Sequence, residues 1–140
     1  MTGQRGSLLP LAAGLLALAL TLLFGIVSVT SLTIERHRLM ALAESTALAA
    51  SESFDPGDLR MGAGELIVPL TDGGVRERAR DFLQGIPHRH EDLRVLAADT
   101  PDGRRARVIL RSTWSAPLVT EFVPLRVDVT VEAFSRAIIR

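Results

Sequence analysis

The chain has 140 residues, and its 16 basic and 16 acidic side chains leave no net charge at pH 7 with His neutral. That balance excludes the strongly basic field of a nucleic-acid binder and the steering of a highly charged substrate. The absence of Cys excludes disulfides, thiol catalysis and thiolate metal sites. Beyond its apolar start only about 105 residues remain, enough for one small domain.

Residues 1–6 are polar and too short to fold, and are read as a leader. From Leu8 to Leu32 the chain runs LLPLAAGLLALALTLLFGIVSVTSL, with no charged residue between Arg5 and Glu35. As a helix this stretch reaches roughly 37 Å, enough to cross a hydrocarbon core of about 30 Å. Ten Leu with Phe24, Ile26, Val27 and Val29 favour insertion by roughly several kcal/mol in sum. Pro10 falls in the first turn, where its missing N–H breaks no helical bond. Residues 7–34 are therefore expected to form a transmembrane helix. A cleaved secretory signal starts in a similar way, but its apolar core is about 7 to 15 residues long and ends at a small-x-small site. Here Ala17-Leu18-Ala19 lies deep inside the run, and only Ser28 to Ser31 sits at its far end. Arg5 precedes the span while Arg36 and Arg38 follow it beside Glu35, so charge counting does not orient it.

Ala13, Ala17, Thr21 and Gly25 recur every four residues as a stripe of small side chains, a candidate helix-packing face, since small residues let helices approach closely in lipid. Residues 35–53 hold no Gly or Pro and many helix formers. Ile34, Ala41, Leu42, Ser45, Leu48 and Ala49 share one side and are expected to be its apolar face, making the segment an amphipathic stalk. One continuous helix from about Leu8 to about Glu52 is expected, with two helices broken near Ser31 as the alternative. Phe54-Asp55-Pro56-Gly57 ends it, because Pro56 disfavours helical geometry at Asp55.

Residues 54–140 read as a small α+β domain. Glu65 to Leu70 is a short strand whose Pro69 suggests a sheet edge. Thr71 or Asp72 caps the next helix, in which Val75, Ala79, Phe82 and Leu83 make the apolar face, and Gly85 followed by Pro87 ends it. Leu93 to Ala97 leads into the turn Thr100-Pro101-Asp102-Gly103, and Ala106 to Trp114 returns. In the last strand Leu125, Val127, Val129, Val131 and Ala133 alternate with polar residues, so one face packs on a core and the other meets water. The order is long helix, strand, helix, then three antiparallel strands.

Chemistry-bearing residues are few. His88 and His90, with Glu91 and Asp92, have the residue types of a metal site, but on a loop they need further ligands; a solvated charged loop is the plainer reading. No Gly-x-Ser-x-Gly elbow, phosphate-cradling Gly loop or helical His-Glu-x-x-His occurs, and Gly62-Ala63-Gly64 is a loop before a strand. His37 is placed in the headgroup zone. Trp114, the sole Trp, is read as a core or sheet-face residue, with a partner anchor as the other option. No enzymatic function and no cofactor are expected.

Three stretches together resemble the TadE/TadG-like proteins of bacterial tight-adherence (Flp, type IVb-like) pilus systems: Gln4-Arg5-Gly6-Ser7, the apolar span, and the Ala-rich helix LMALAESTALAA at 39–50. The terminal VTVEAFSRAIIR is similar to the end of small actinobacterial members. In pilin-like members a short basic leader is removed after a Gly, which implies processing here between Gly6 and Ser7. TadE-type members usually carry a Glu five residues into the mature helix, where this chain has Leu11; TadG-like members often lack it. A mature amine without an acid before Glu35 fits a minor component or assembly factor rather than a repeating shaft subunit. The resemblance implies a single-pass inner (cytoplasmic) membrane protein with an extracytoplasmic C-terminal domain, incorporated into a pilus or its assembly complex, whose partners are the membrane and other pilin-like subunits. A single-pass envelope-complex or binding module unrelated to pili fits the same domain plan.

Overall fold

A computed structural model describes residues 8–54, 57, 60–62, 65–67, 69–117 and 124–136. Its elements are α1 (Leu8–Ser51), β1 (Arg60–Gly62), β2 (Glu65–Ile67), α2 (Asp72–Gly85), β3 (Glu91–Asp99), β4 (Arg105–Ser115) and β5 (Arg126–Arg136). The chain is α+β: a long amino-terminal helix followed by a short helix and a three-stranded antiparallel sheet in the order β3-β4-β5.

α1 runs 44 residues without interruption, so the break near Ser31 does not occur. Nothing in the sequence would cause one, because no Gly or Pro lies between Gly25 and Pro56. Thr21, Thr33, Ser45 and Thr46 return their hydroxyls to carbonyls four residues back, which satisfies them inside the helix.

The outer half of α1 is not a free stalk. It is the element against which the domain folds. Leu39, Ala43, Thr46, Ala47 and Ala50 are fully buried, with Leu32, Met40 and Leu42 partly buried beside them. Of the expected apolar face, Ile34 and Leu48 are 45% and 50% exposed and Ala41 and Ser45 are also exposed, whereas Leu42 packs partly on the core and Ala49 is half-buried at the border. At about 100° per residue these exposed residues and the fully buried ones lie on opposite sides of the helix. The buried side is the one rich in Ala and Thr, whose short side chains let the helix approach the flat inner face of the sheet closely.

That inner face comes from strict alternation. In β4, Ala106, Val108, Leu110, Ser112 and Trp114 point inward, and every second residue between them is only half-buried. β5 pairs with all of β4, from Arg105 opposite Arg136 to Ser115 opposite Arg126. Val129, Val131 and Ala133 are buried as the period-two pattern predicts, whereas Leu125 and Val127, expected inside, are 49% and 38% exposed. β3 spans more than the expected 93–97 and carries two register irregularities, with Asp92 at φ 48° in the first.

α2 starts as expected: Thr71 is the cap, and its Oγ1 accepts from the Gly74 N–H at 3.2 Å. Val75, Ala79 and Leu83 are buried against α1 and β3, while Phe82 is half-buried. The expected strand at 65–70 is shorter. Glu65–Ile67 pairs with Arg60–Gly62 in a separate two-stranded hairpin, a strand that periodicity did not reveal in so short a segment. Leu70 is a core residue rather than a strand end, and its N–H donates to the Gly103 carbonyl at 2.9 Å. Gly103 sits at φ 68°, the left-handed geometry that favours Gly in the Thr100–Gly103 turn. The Asp72 carboxylate accepts from the Thr100 N–H at 2.8 Å, joining the start of α2 to that turn.

Two contacts fix how α1 lies on the sheet. Trp114 Nε1–H donates to Ser31 Oγ at 3.2 Å, and Ser51 Oγ lies 3.5 Å from Ser135 Oγ. Trp114 pairs with Val127, so the two contacts are eight residues apart along β5, roughly 26 Å, and twenty apart along α1, roughly 30 Å. The helix therefore runs along the strands, in the direction of β5. The β4-to-β5 end of the sheet faces the apolar half of α1.

Candidate functional site

The exposed surface of α1 is the dominant functional feature. The large apolar residues from Leu8 to Val29 are between 39% and 79% exposed, Phe24 alone being half-buried, an arrangement that suits a non-aqueous surround or packing against partners. The helix is long and apolar enough to cross a membrane.

Ala13, Ala17, Thr21 and Gly25 are all exposed on it. The Thr21 hydroxyl is satisfied by the Ala17 carbonyl at 2.8 Å, and a Cβ added at Gly25 would meet nothing within 4 Å. A four-residue step advances about 40° beyond a full turn. The stripe consequently drifts around the helix: Ala13 lies nearer the side of Ile34, Ala41 and Leu48, and Gly25 nearer the side that faces the domain. In the outer half, Ile34, Ala41 and Leu48 continue the open apolar face. α1 thus has two apolar faces, one occupied by its own sheet and one open.

Gly6 and Ser7, the residues of the expected cleavage, lie outside the described residues. Leu11 is exposed on the first turns of α1.

The histidines separate. His90 turns inward, with its side chain 9% exposed and Nδ1 2.5 Å from Glu35 Oε1 on α1. His88 stays exposed, its ring 6.4 Å from that of His90. Among the described residues no group of three or more His, Cys, Asp or Glu is placed to hold a metal ion. The loop is thus not wholly solvated, because half of it ties the start of β3 to α1. Sequence reasoning missed this pair; the 55 residues separating its members carry no local signal. His37 and Arg36 line an open groove of ≈ 810 Å³ between α1 and β5, together with Leu32, Met40 and Val127. Trp114 is 6% exposed and works as a junction, its ring buried between helix and sheet and its N–H tied to Ser31.

Ion pairs gather on the outer face of the sheet. Arg107 holds Asp99 through two hydrogen bonds, Nε to Oδ1 at 2.7 Å and Nη2 to Oδ2 at 2.5 Å. The Arg107 hydrogen bond lowers the Asp99 pKa, and the same bond raises that of Arg107. Asp102 accepts from the N–H groups of Arg104 and Arg105 and from Arg105 Nε. These bonds, led by that from the Arg104 backbone, lower its pKa to about 2. Among the described residues β5 is a sheet edge, and Arg126, Asp128, Glu132 and Arg136 blunt it with charges of both signs.

Residues 6–53 match a family model described as "Putative Flp pilus-assembly TadE/G-like". The matched segment begins at Gly6 and takes in the whole of α1. No curated protein and no solved structure matches the chain. The match supports a role related to Flp pilus assembly, with membrane association through the amino-terminal helix and pilus subunits as partners.

Proposed function

We propose that this chain, TadE/G-like over residues 6–53, is a membrane-anchored, pilin-like minor subunit or assembly factor of a Flp pilus. It acts by helix packing and protein contact rather than by catalysis. The observation that carries the reading is the coincidence of the family match with α1, whose apolar face stays open from the span into the outer half. Small residues at Ala13 and Ala17 give a neighbouring helix close access within the span, and Ile34, Ala41 and Leu48, about 80° to 120° away around the helix, offer a second exposed apolar strip beyond it.

Processing between Gly6 and Ser7 would leave a mature amine two residues before Leu9. With Leu11 in place of an acid, the chain has no carboxylate of its own before Glu35 to neutralise that amine in an apolar bundle. A partner supplies the charge, or the amine stays at the interface; either arrangement suits a minor component. The domain lies on the extracytoplasmic side in this reading.

The deciding experiment is the amino-terminal mass of the protein from its native membrane, combined with photo-crosslinking from Ala17 and from Leu48. A chain starting at Ser7, with crosslinks to pilus subunits from both positions, is the expected result. An intact leader with crosslinks only to non-pilus envelope proteins would overturn it. That result would favour the second reading, a single-pass envelope module, for which the Leu11 substitution is the supporting observation.

A further inference from the structure

The β4-to-β5 end of the sheet stands beside the last turns of the apolar span. Trp114 is tied to Ser31, and the first charges after the span, Glu35, Arg36 and Arg38, come only one to two turns later. From Trp114 the chain continues toward the membrane. The Ala116 N–H donates to the Leu125 carbonyl at 3.1 Å, closing the ladder two residues beyond Trp114. At about 3.3 Å per strand residue this closure lies roughly 7 Å below the level of Ser31, alongside Ile26 and Val27 of α1. A hydrocarbon core of about 30 Å takes up roughly 20 residues of the 25-residue apolar run, so this level falls at the boundary between acyl chains and headgroups.

The residues presented there suit that boundary. Pro117 and Pro124 are exposed, Leu125 and Val127 are 49% and 38% exposed, and Arg126 stands among them. The two exposed apolar residues are the ones that break the inward pattern of β5. On the helix, Arg36 and Arg38 occupy the flanking position from which long cationic side chains reach phosphate. Among the described residues none of these three Arg makes an ion pair, whereas Arg105, Arg107 and Arg111 all do.

We propose that this end of the domain is a membrane-apposed surface: Leu125, Val127 and the flanking Pro117 and Pro124 enter the headgroup layer of the bilayer that α1 spans, with Arg126, Arg36 and Arg38 on lipid phosphates. The domain is then seated on the membrane rather than lifted from it. The continuity of this surface with the span selects phospholipid over a protein partner as the occupant. The proposal rests on the reading of residues 8–32 as membrane-spanning, and its test separates the two.

Because the chain has no Cys, single spin labels can be placed on the full protein in phosphatidylethanolamine/phosphatidylglycerol vesicles. Three variants suffice: Leu125→Cys, Leu18→Cys within the span, and Gly73→Cys at the far end, where an added Cβ meets nothing within 4 Å. Retention of the Trp114 emission spectrum certifies the fold of each. The expected result is a ratio of oxygen to nickel-chelate collision rates several-fold higher at Leu125 than at Gly73, and highest at Leu18. A Leu125 label as water-exposed as Gly73, with Leu18 in lipid, would overturn the apposition alone. A water-exposed Leu18 would overturn the span and the apposition together.

Discussion

Substituting Leu39 and Leu48 one at a time tests which face of α1 holds the domain. Leu39 is fully buried, among Ala43 and the inner face of the sheet, and the helix backbone around it cannot collapse into the space an Ala would leave. Leu39→Ala therefore loses the transfer energy of the side chain and adds a cavity, about 3 kcal/mol in sum. Leu48 is half exposed and leaves no cavity. Its truncation costs under about 1 kcal/mol, part of which the better helix propensity of Ala offsets. Urea titration of the protein in detergent micelles, followed by Trp114 emission, reads both variants. The sole Trp is buried at the helix–sheet junction, so its emission reports undocking directly. With a urea dependence of roughly 1 kcal/mol per molar for a domain of this size, Leu39→Ala should move the midpoint down by roughly 3 M and Leu48→Ala by under about 1 M. Equal shifts would refute the assignment of the buried face.

The same logic applies to the small residues: Ala47→Leu should overpack the interface and cost about 1 to 3 kcal/mol by urea titration, while Ala41→Leu on the open face should be near neutral. Ser112 is fully buried, and its hydroxyl has no hydrogen-bond partner among the described residues, so Ser112→Ala should raise stability by about 1 kcal/mol. Asp99 and Asp102 predict an acid limb. Both carboxyl groups have folded-state pKa values below their ordinary 3.8, Asp99 through Arg107 and Asp102, at about 2, through the backbone N–H groups of Arg104 and Arg105 and the Arg105 side chain. A group depressed by folding stabilises the folded state fully above its unfolded pKa and loses that contribution as pH falls through the folded one. Stability should therefore be flat with respect to these two groups above about pH 5 and decline between about pH 4 and pH 2. A carboxyl NMR titration of Asp102 with its midpoint near the ordinary value would contradict this.

Much of the architecture was legible in the residues because it depends on local pattern. The uncharged run between Arg5 and Glu35, the Thr71 cap, the Thr100–Gly103 turn and the period-two alternation of β4 each follow from neighbours in sequence, as does that of β5 from Val129 to Ala133, while Leu125 and Val127 depart from it. β1 was illegible because a three-residue strand is too short to show a period, whereas its partner β2 falls within the expected strand at 65–70. For the candidate site, the open helix surface was visible as composition, whereas the His90–Glu35 tie was not.

By itself, then, the sequence determined that helix extends from about Leu8 to about Glu52, with its continuity at Ser31 left open, that the first part of it is apolar all round, and that an alternating sheet follows. Only the tertiary structure decided what the outer half of the helix does. An Ala-rich helix offers apolar residues on every side, so periodicity alone does not choose between the faces of Leu39 and Leu48. The choice follows from shape: the sheet's inner face admits a helix closely only along a line of short side chains, and Ala43, Thr46, Ala47 and Ala50 form that line. Docking along it brings Ser31 against Trp114 and sets the end of the sheet beside the apolar half of α1, a placement that depends on contacts between residues 83 apart in the chain.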